Sequence, residues 1–218
     1  MPFSTFAHSY ESGMTPQEHL TKQLAHFLPS EAIDIVVRWI LDHKILVTIT
    51  RKRSTILGDY RRPYQGKGHR ISINGDLNPY AFLVTMVHEV AHLTTWEKYQ
   101  HRVSSHGNEW KNEFKRLMDE FTGRRIVPED VRTALKKYFI NPSATHCDDP
   151  SLMKVLNKYN KQPVFHLEDL EENGLFLWNG ERVFRKGEKL RKRYKCYELR
   201  TKRIYLFSPV AEVKKLEL

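Results

Sequence analysis

The sequence predicts an α+β protein in two parts: a mainly helical domain with a small antiparallel sheet over residues 1–160, then a basic β-ribbon-like region over 161–218. Three observations predict it. Capped segments with apolar residues at helical spacing fill most of the first part, two β-prone runs interrupt them, and from Pro163 onward only short β-prone runs separated by turn residues remain.

Thr15-Pro16-Gln17-Glu18 is a capping box with Pro at the first helical position, so a helix runs from here to about Leu28. Pro29-Ser30 opens a second helix whose apolar stripe is Ile33, Val36, Val37, Ile40 and Leu41. Strands are expected over Ile45–Thr50 and His69–Asn74, with Gly58–Arg62 a further extended run between them. Asn78 then caps a helix with Pro79 at its first position, and Leu83, Val87, Val90 and Ala91 mark its buried side. Ser105 is the expected cap of the next helix, carrying Trp110, Phe114, Leu117, Met118 and Phe121 at helical spacing. Pro128-Glu129 starts a helix ending near Phe139, and Asp149-Pro150 starts one running to about Tyr159. In the tail, strands are expected over Val164–Leu170, Leu175–Trp178, Glu181–Phe184, Arg193–Leu199 and Arg203–Phe207, with Asn179-Gly180 as a hairpin turn.

The chemistry sits in His88-Glu89-Val90-Ala91-His92. Residues four apart on a helix lie one above the other, so both imidazoles can face one zinc ion while Glu89 reaches the open position as catalytic base. The bland alternative is two histidines stacked on a helix surface. A catalytic zinc takes a third protein ligand, and His101 and His106 are the candidates. His106 is favoured because a packed helix follows it, whereas His101 lies in the polar connection Lys98-Tyr99-Gln100-His101-Arg102. One catalytic Zn²⁺ is therefore expected on His88, His92 and His106. Tyr60, Tyr64 and His69 are candidate oxyanion donors or structural residues, and the His69–Asn74 strand is a candidate edge for a bound peptide.

The helix with His88-Glu89-Val90-Ala91-His92, thirteen intervening residues, and then His106-Gly107-Asn108-Glu109-Trp110 resembles the SprT-like family of zinc metalloproteases, which includes the Spartan DNA–protein crosslink proteases. The resemblance covers about residues 15–125 and includes the strand-rich lead-in. It implies a zincin-like domain, zinc on His88, His92 and His106, and Glu89 as the catalytic acid and base. It also implies a protein or peptide substrate, associated or crosslinked with DNA. Relatives often end in a zinc ribbon with two CxxC knuckles, and here the chain departs. The tail holds only Cys196, the position three later is Leu199, and Phe165-His166-Leu167-Glu168 offers no Cys. A metal-free sheet is expected instead, held by Val164, Leu170, Phe176, Trp178, Phe184, Ile204 and Leu206, with Cys196 a small packed residue.

The net charge of +10 is concentrated. Residues 181–203 hold eleven Lys and Arg against three acidic residues, and residues 51–70 hold seven against one. Arg51, Lys52, Arg53, Arg191, Lys192, Arg193 and Lys195 could neutralise phosphates, with Tyr194, Tyr197 and Tyr205 available to stack on bases. The alternative is a solvated basic face. No recognition helix or RNA-binding motif is evident, so contacts are expected to be independent of sequence. With only Cys147 and Cys196, no apolar span and no secretory pattern in Met1–Met14, an intracellular, cytoplasmic protein without membrane partners is expected. Two functions fit: a zinc-dependent protease, or a nucleic-acid-associated stress or transcription-elongation-type factor whose zinc is mainly structural.

Overall fold

The computed structural model describes residues 13–53, 56–140, 149–162 and 165–216, and the protein is α+β. It divides into two compact units, 1–147 and 148–218. The sequence pattern places this boundary at 160, and the helix over Pro150–Asn157 accounts for the difference. Its Lys154 pairs with Glu168 at 3.0 Å and its Asn157 bonds His166 at 2.9 Å, so it belongs with the tail.

In the first unit, helix α1 (Pro16–Leu24) opens with the expected box, Thr15 and Glu18 each bonding the other's backbone. It stops short of Leu28. A short 3₁₀ turn over Ser30–Ala32 leads into α2 (Ile33–Asp42), which buries Ile33, Val36, Val37 and Ile40 as expected, with Ile35 and Trp39, and leaves Leu41 at the surface. Strands β1 (Leu46–Thr50), β2 (Gly58–Arg61) and β3 (Arg70–Asn74) form a sheet in the order β1-β3-β2. This sheet is mixed, not antiparallel. Successive strands reverse direction, but β3 inserts between β1 and β2, so it runs parallel to β1 and antiparallel to β2. β3 is consequently the central strand, and the sequence expectation that its edge receives a peptide is corrected: both its edges are occupied, and β2 is an edge strand beside α3.

Helix α3 (Pro79–Tyr99) is the core of this unit. Asn78 caps it by accepting from the amides of Tyr80 and Ala81 at 3.1 and 3.0 Å, and Pro79 sits at its start. Residues from Ala81 to Ala91 are buried without a break, because β2 and β3 cover one side and α4 (Asn108–Gly123) another. Helix α4 buries Trp110, Phe114, Leu117, Met118 and Phe121, all expected from periodicity. A buried carboxylate, Glu113, ties the two helices together: it takes Lys98 of α3 at 2.6 Å and Arg116 at 2.9 Å. Helix α5 (Glu129–Tyr138) completes the unit, with Tyr138 and Phe139 edge-on to Phe114.

The second unit is α6 (Pro150–Asn157), capped by Asp149, and a five-stranded antiparallel sheet in the order β7-β6-β5-β4-β8. The strands are β4 (Leu175–Trp178), β5 (Arg182–Lys189), β6 (Tyr194–Glu198), β7 (Ile204–Phe207) and β8 (Lys214–Lys215). Asn179 and Gly180, with φ of 53° and 79°, make the left-handed turn between β4 and β5. Within the expected strand Val164–Leu170, Leu167–Asp169 forms a 3₁₀ turn and His166 a single bridge to Glu212, while Val164 lies outside the described residues.

The tail's core is Leu167, Leu170, Phe176, Phe184, Cys196, Phe207 and Val213, with Trp178 packed against it. Ile204 and Leu206, expected inside, are each 51% exposed. Strand faces alternate, and on β7 it is Tyr205 and Phe207 that point inward, which turns Ile204 and Leu206 out. No described helix is long and apolar enough to cross a membrane.

Candidate metal centre

Helical spacing puts His88 and His92 on one face of α3, one turn apart, with Nε2 atoms 3.3 Å from each other. The chain then leaves the helix at Gln100, whose φ of 53° breaks it, and passes through a 3₁₀ turn over Gln100–Arg102. His106 follows in the turn that precedes α4. Gly107, not Ser105, is the N-cap residue there, and the hydroxyl of Ser105 instead lies 3.4 Å from Nδ1 of His106. The return of the chain places His106 against both helical histidines, with ring centroids 5.6 Å from His88 and 4.5 Å from His92.

One nitrogen from each of His88, His92 and His106 lies within 4.8 Å of the other two, close enough to hold one metal ion. Two imidazole nitrogens bound to one tetrahedral zinc at ~2.0–2.1 Å stand about 3.3 Å apart, the separation found between His88 and His92. His106 Nε2 is buried and has no hydrogen-bond partner among the described residues, the condition of a donor atom whose partner is an ion. Burial, then the neighbouring His106, hold His92 down at about 3, and burial lowers His106 as well. Both imidazoles are therefore neutral, the form that binds a metal. On these observations the three residues fit a metal ion.

Trp110 supplies the wall behind the three rings. Fully buried at the start of α4, it lies 4.7 Å from His88, 5.2 Å from His92 and 4.7 Å from His106, centroid to centroid. Periodicity identified Trp110 as core, but nothing in one sequence marks it as the surface that orients all three imidazoles. His101 is elsewhere. It sits exposed in the 3₁₀ turn, its Nδ1 2.8 Å from Arg62.

Glu89 is 5% exposed. Burial pushes its carboxyl up to about 8, Asp59 adds to the rise, and Arg53 and the Tyr60 backbone N–H oppose it. The cradle for this carboxyl is β2, an element the sequence marked only as extended. A Cβ on Gly58 would lie 2.6 Å from Glu89 Oε1, 2.7 Å from Thr85 Cγ2 and 2.9 Å from Glu89 Cγ, so only glycine lets the strand pass here. Of the three candidate oxyanion donors, Tyr60 and His69 bond each other at 2.9 Å, and Tyr64 is 65% exposed in a tight turn with Lys67.

The basic residues have separate fates. Arg53 is half-buried and donates to Asn74 Oδ1 at 2.8 Å, Ser72 Oγ at 3.0 Å, and the carbonyls of Leu57 and Ser72 at 3.3 Å. Its guanidinium thus staples the segment before β2 to β3, which corrects its assignment to phosphate contact. Arg51 is exposed, and Lys52, also exposed, faces Asp76 at 3.9 Å. Arg191, Lys192 and Arg193 crown the β5–β6 hairpin and are exposed, while Lys195 pairs with Glu188 at 2.9 Å. Tyr194 lies under Lys186 at 4.3 Å and Tyr205 under Arg182 at 4.6 Å, both turned toward the tail's core. Tyr197, on the other face, is the remaining tyrosine, with Arg185 at 5.6 Å. Compared with protein-family models, curated proteins and solved structures, the chain finds no match.

Proposed function

We propose that the protein is a zinc-dependent metallopeptidase of the SprT-like type, with His88, His92 and His106 as metal ligands and Glu89 as the catalytic acid and base. The observation that carries this reading is a buried carboxyl, one residue from a ligand, held by a strand that has a glycine where any side chain would displace it. A site built only to stabilise a nucleic-acid-associated stress or transcription-elongation-type factor has no use for that carboxyl. Three imidazoles suit zinc, and three protein ligands leave a position open.

When bound, zinc supplies a Lewis acid and acidifies a coordinated water. Glu89 takes the proton as the peptide carbonyl is attacked and returns it to the leaving amine. The Trp110 wall keeps the imidazoles in place and bulk water away from their far side. Gly58 and Tyr60 turn toward Glu89 on the edge of β2 away from β3, so a peptide adding there as a strand lies beside the carboxyl.

The exposed Arg191-Lys192-Arg193 tip supports nucleic acid as the setting of the protein substrate, through phosphate contacts that do not read sequence. The test is metal analysis with a cleavage assay on an unfolded protein, with and without single-stranded DNA. One zinc per chain, hydrolysis lost to a chelator and regained with stoichiometric zinc, supports the reading; zinc at one per chain with no hydrolysis of free or DNA-bound protein contradicts it.

A further inference from the structure

Tyr60 touches the candidate centre in two ways and is anchored outside it by a third. Its backbone N–H donates to Glu89. Its ring lies parallel to that of His92, 4° between planes and 6.4 Å between centroids. Its hydroxyl meets His69 Nδ1 at 2.9 Å.

His69 is itself fixed. Its carbonyl accepts the N–H of Leu46 at 2.9 Å where β1 and β3 begin, and its ring stands edge-on to Trp96 at 5.6 Å. Its Nε2 faces Glu97 at 3.6 Å, and Glu97 is held from α2's end by His43 Nδ1 at 3.0 Å. With the carboxylate drawing the proton onto Nε2, Nδ1 is the acceptor and Tyr60 the donor.

This chain of contacts adds to the pairing of β2 with β3 and to the Arg53 bonds just before the strand. β2 has four residues and, among the described residues, one sheet neighbour, β3, yet it carries both groups that shape the position of Glu89, Gly58 and the Tyr60 amide. A short edge strand with so few bonds moves easily, and a shift of about 1 Å in a catalytic group costs roughly a hundredfold in rate.

We propose that Tyr60 is a positioning residue, latched by His69, Glu97 and His43, which fixes β2 against α3 and so sets the carboxyl of Glu89 and the ring plane of His92. The consequence for hydrolysis rests on the peptidase reading; the latch does not. The residues come from β2, the start of β3, α3 and the end of α2, so no single element or sequence motif announces it.

The experiment uses the full chain as Tyr60→Phe, His69→Ala, His69→Gln and the double variant Tyr60→Phe/His69→Ala, with two readouts. Hydrogen exchange of the metal-free protein at residues 58–61 is the first: Tyr60→Phe and His69→Ala each lower protection there roughly tenfold with β3 unchanged, and the double variant is no worse than either. His69→Gln restores protection, because its amide oxygen accepts from the Tyr60 hydroxyl. The second readout is kcat and KM of the zinc-loaded protein. Tyr60→Phe lowers kcat about tenfold while KM stays within about twofold and zinc content holds, since outer partners of a metal site are worth 10–100-fold. Unchanged protection in Tyr60→Phe, additive losses, or failure of His69→Gln to rescue overturns the latch, whatever the activity. If the native protein hydrolyses nothing while the exchange pattern holds, the latch stands and the peptidase reading falls.

Discussion

Gly58→Ala isolates the fit between β2 and the carboxyl of Glu89. The added methyl would come within 2.6 Å of Glu89 Oε1, 2.7 Å of Thr85 Cγ2 and 2.9 Å of Glu89 Cγ. Ordinary carbon contacts lie at about 3.5–4.0 Å, so the strand and the carboxyl must separate by roughly 0.5–1 Å. The Oε1 atom can swing aside, but Thr85 is fixed on a fully buried stretch of helix, its hydroxyl bonded to Ala81 O at 2.8 Å. The movement therefore falls on β2 and on Glu89. Gly58 has no positive φ, so the substitution adds crowding and no backbone strain. A displacement of that size in a catalytic group lowers kcat/KM roughly ten- to a hundredfold. The three histidines are untouched, and bound zinc should stay at one per chain. The assay is steady-state cleavage of an unfolded protein beside metal analysis of the same sample. Native kcat/KM in Gly58→Ala would refute the steric reasoning, and zinc loss would show that β2 supports the metal site and not the base.

His106→Ala should lose most of the bound zinc while His101→Ala keeps it, since His101 bonds exposed Arg62 away from the three rings; equal loss in metal analysis would overturn the ligand assignment. In the tail, Glu198 is buried and held down at about 2 by hydrogen bonds from Arg182 and Thr201 that outweigh burial. Because its folded value lies below the usual 4.5, its stabilisation is complete above that pH and is lost as pH falls from there through 2. Acid unfolding of the tail, followed by hydrogen exchange over residues 165–216, should therefore separate native protein from Glu198→Gln above pH ~4.5 and merge them near pH 2. A gap that stays constant with pH would contradict this. Neutralising Arg191, Lys192 and Arg193 should weaken single-stranded DNA binding and flatten its salt dependence by up to about two units of slope, at roughly 0.7 per contact. An unchanged slope would remove the hairpin tip from phosphate contact.

The helices of the first unit were legible because their signals are local. Thr15 with Glu18, and Asn78 with Pro79, mark starts, and the stripe from Trp110 to Phe121 marks a buried face. His88 and His92 were legible for the same reason, since four-residue spacing fixes their relation inside one helix. The position of His106 depends on packing, and its helix is capped by Gly107 where the sequence suggests Ser105, whose hydroxyl sits beside the imidazole instead. What one sequence does not carry is contact between distant segments. Gly58 against Glu89 and Tyr60 against His92 depend on β3 sliding between β1 and β2, a sheet order that strand patterns leave open. Arg53 illustrates the same limit, because a basic run looks solvated until the carbonyls it binds are placed. On β7 the apolar residues occupy both faces, so alternation alone could not tell Phe207 from Leu206.

If Glu89 is the proton-transferring group of a zinc peptidase, as proposed, Glu89→Gln isolates that role. Glutamine keeps the size of the side chain and an acceptor for the Tyr60 N–H, but it cannot take the proton. The measurement is zinc content and cleavage of an unfolded protein by native and Glu89→Gln chains prepared alike. Zinc at one per chain in both, with hydrolysis present in the native chain and reduced at least a hundredfold in the variant, is the expected result. Hydrolysis by Glu89→Gln at the native rate would contradict it.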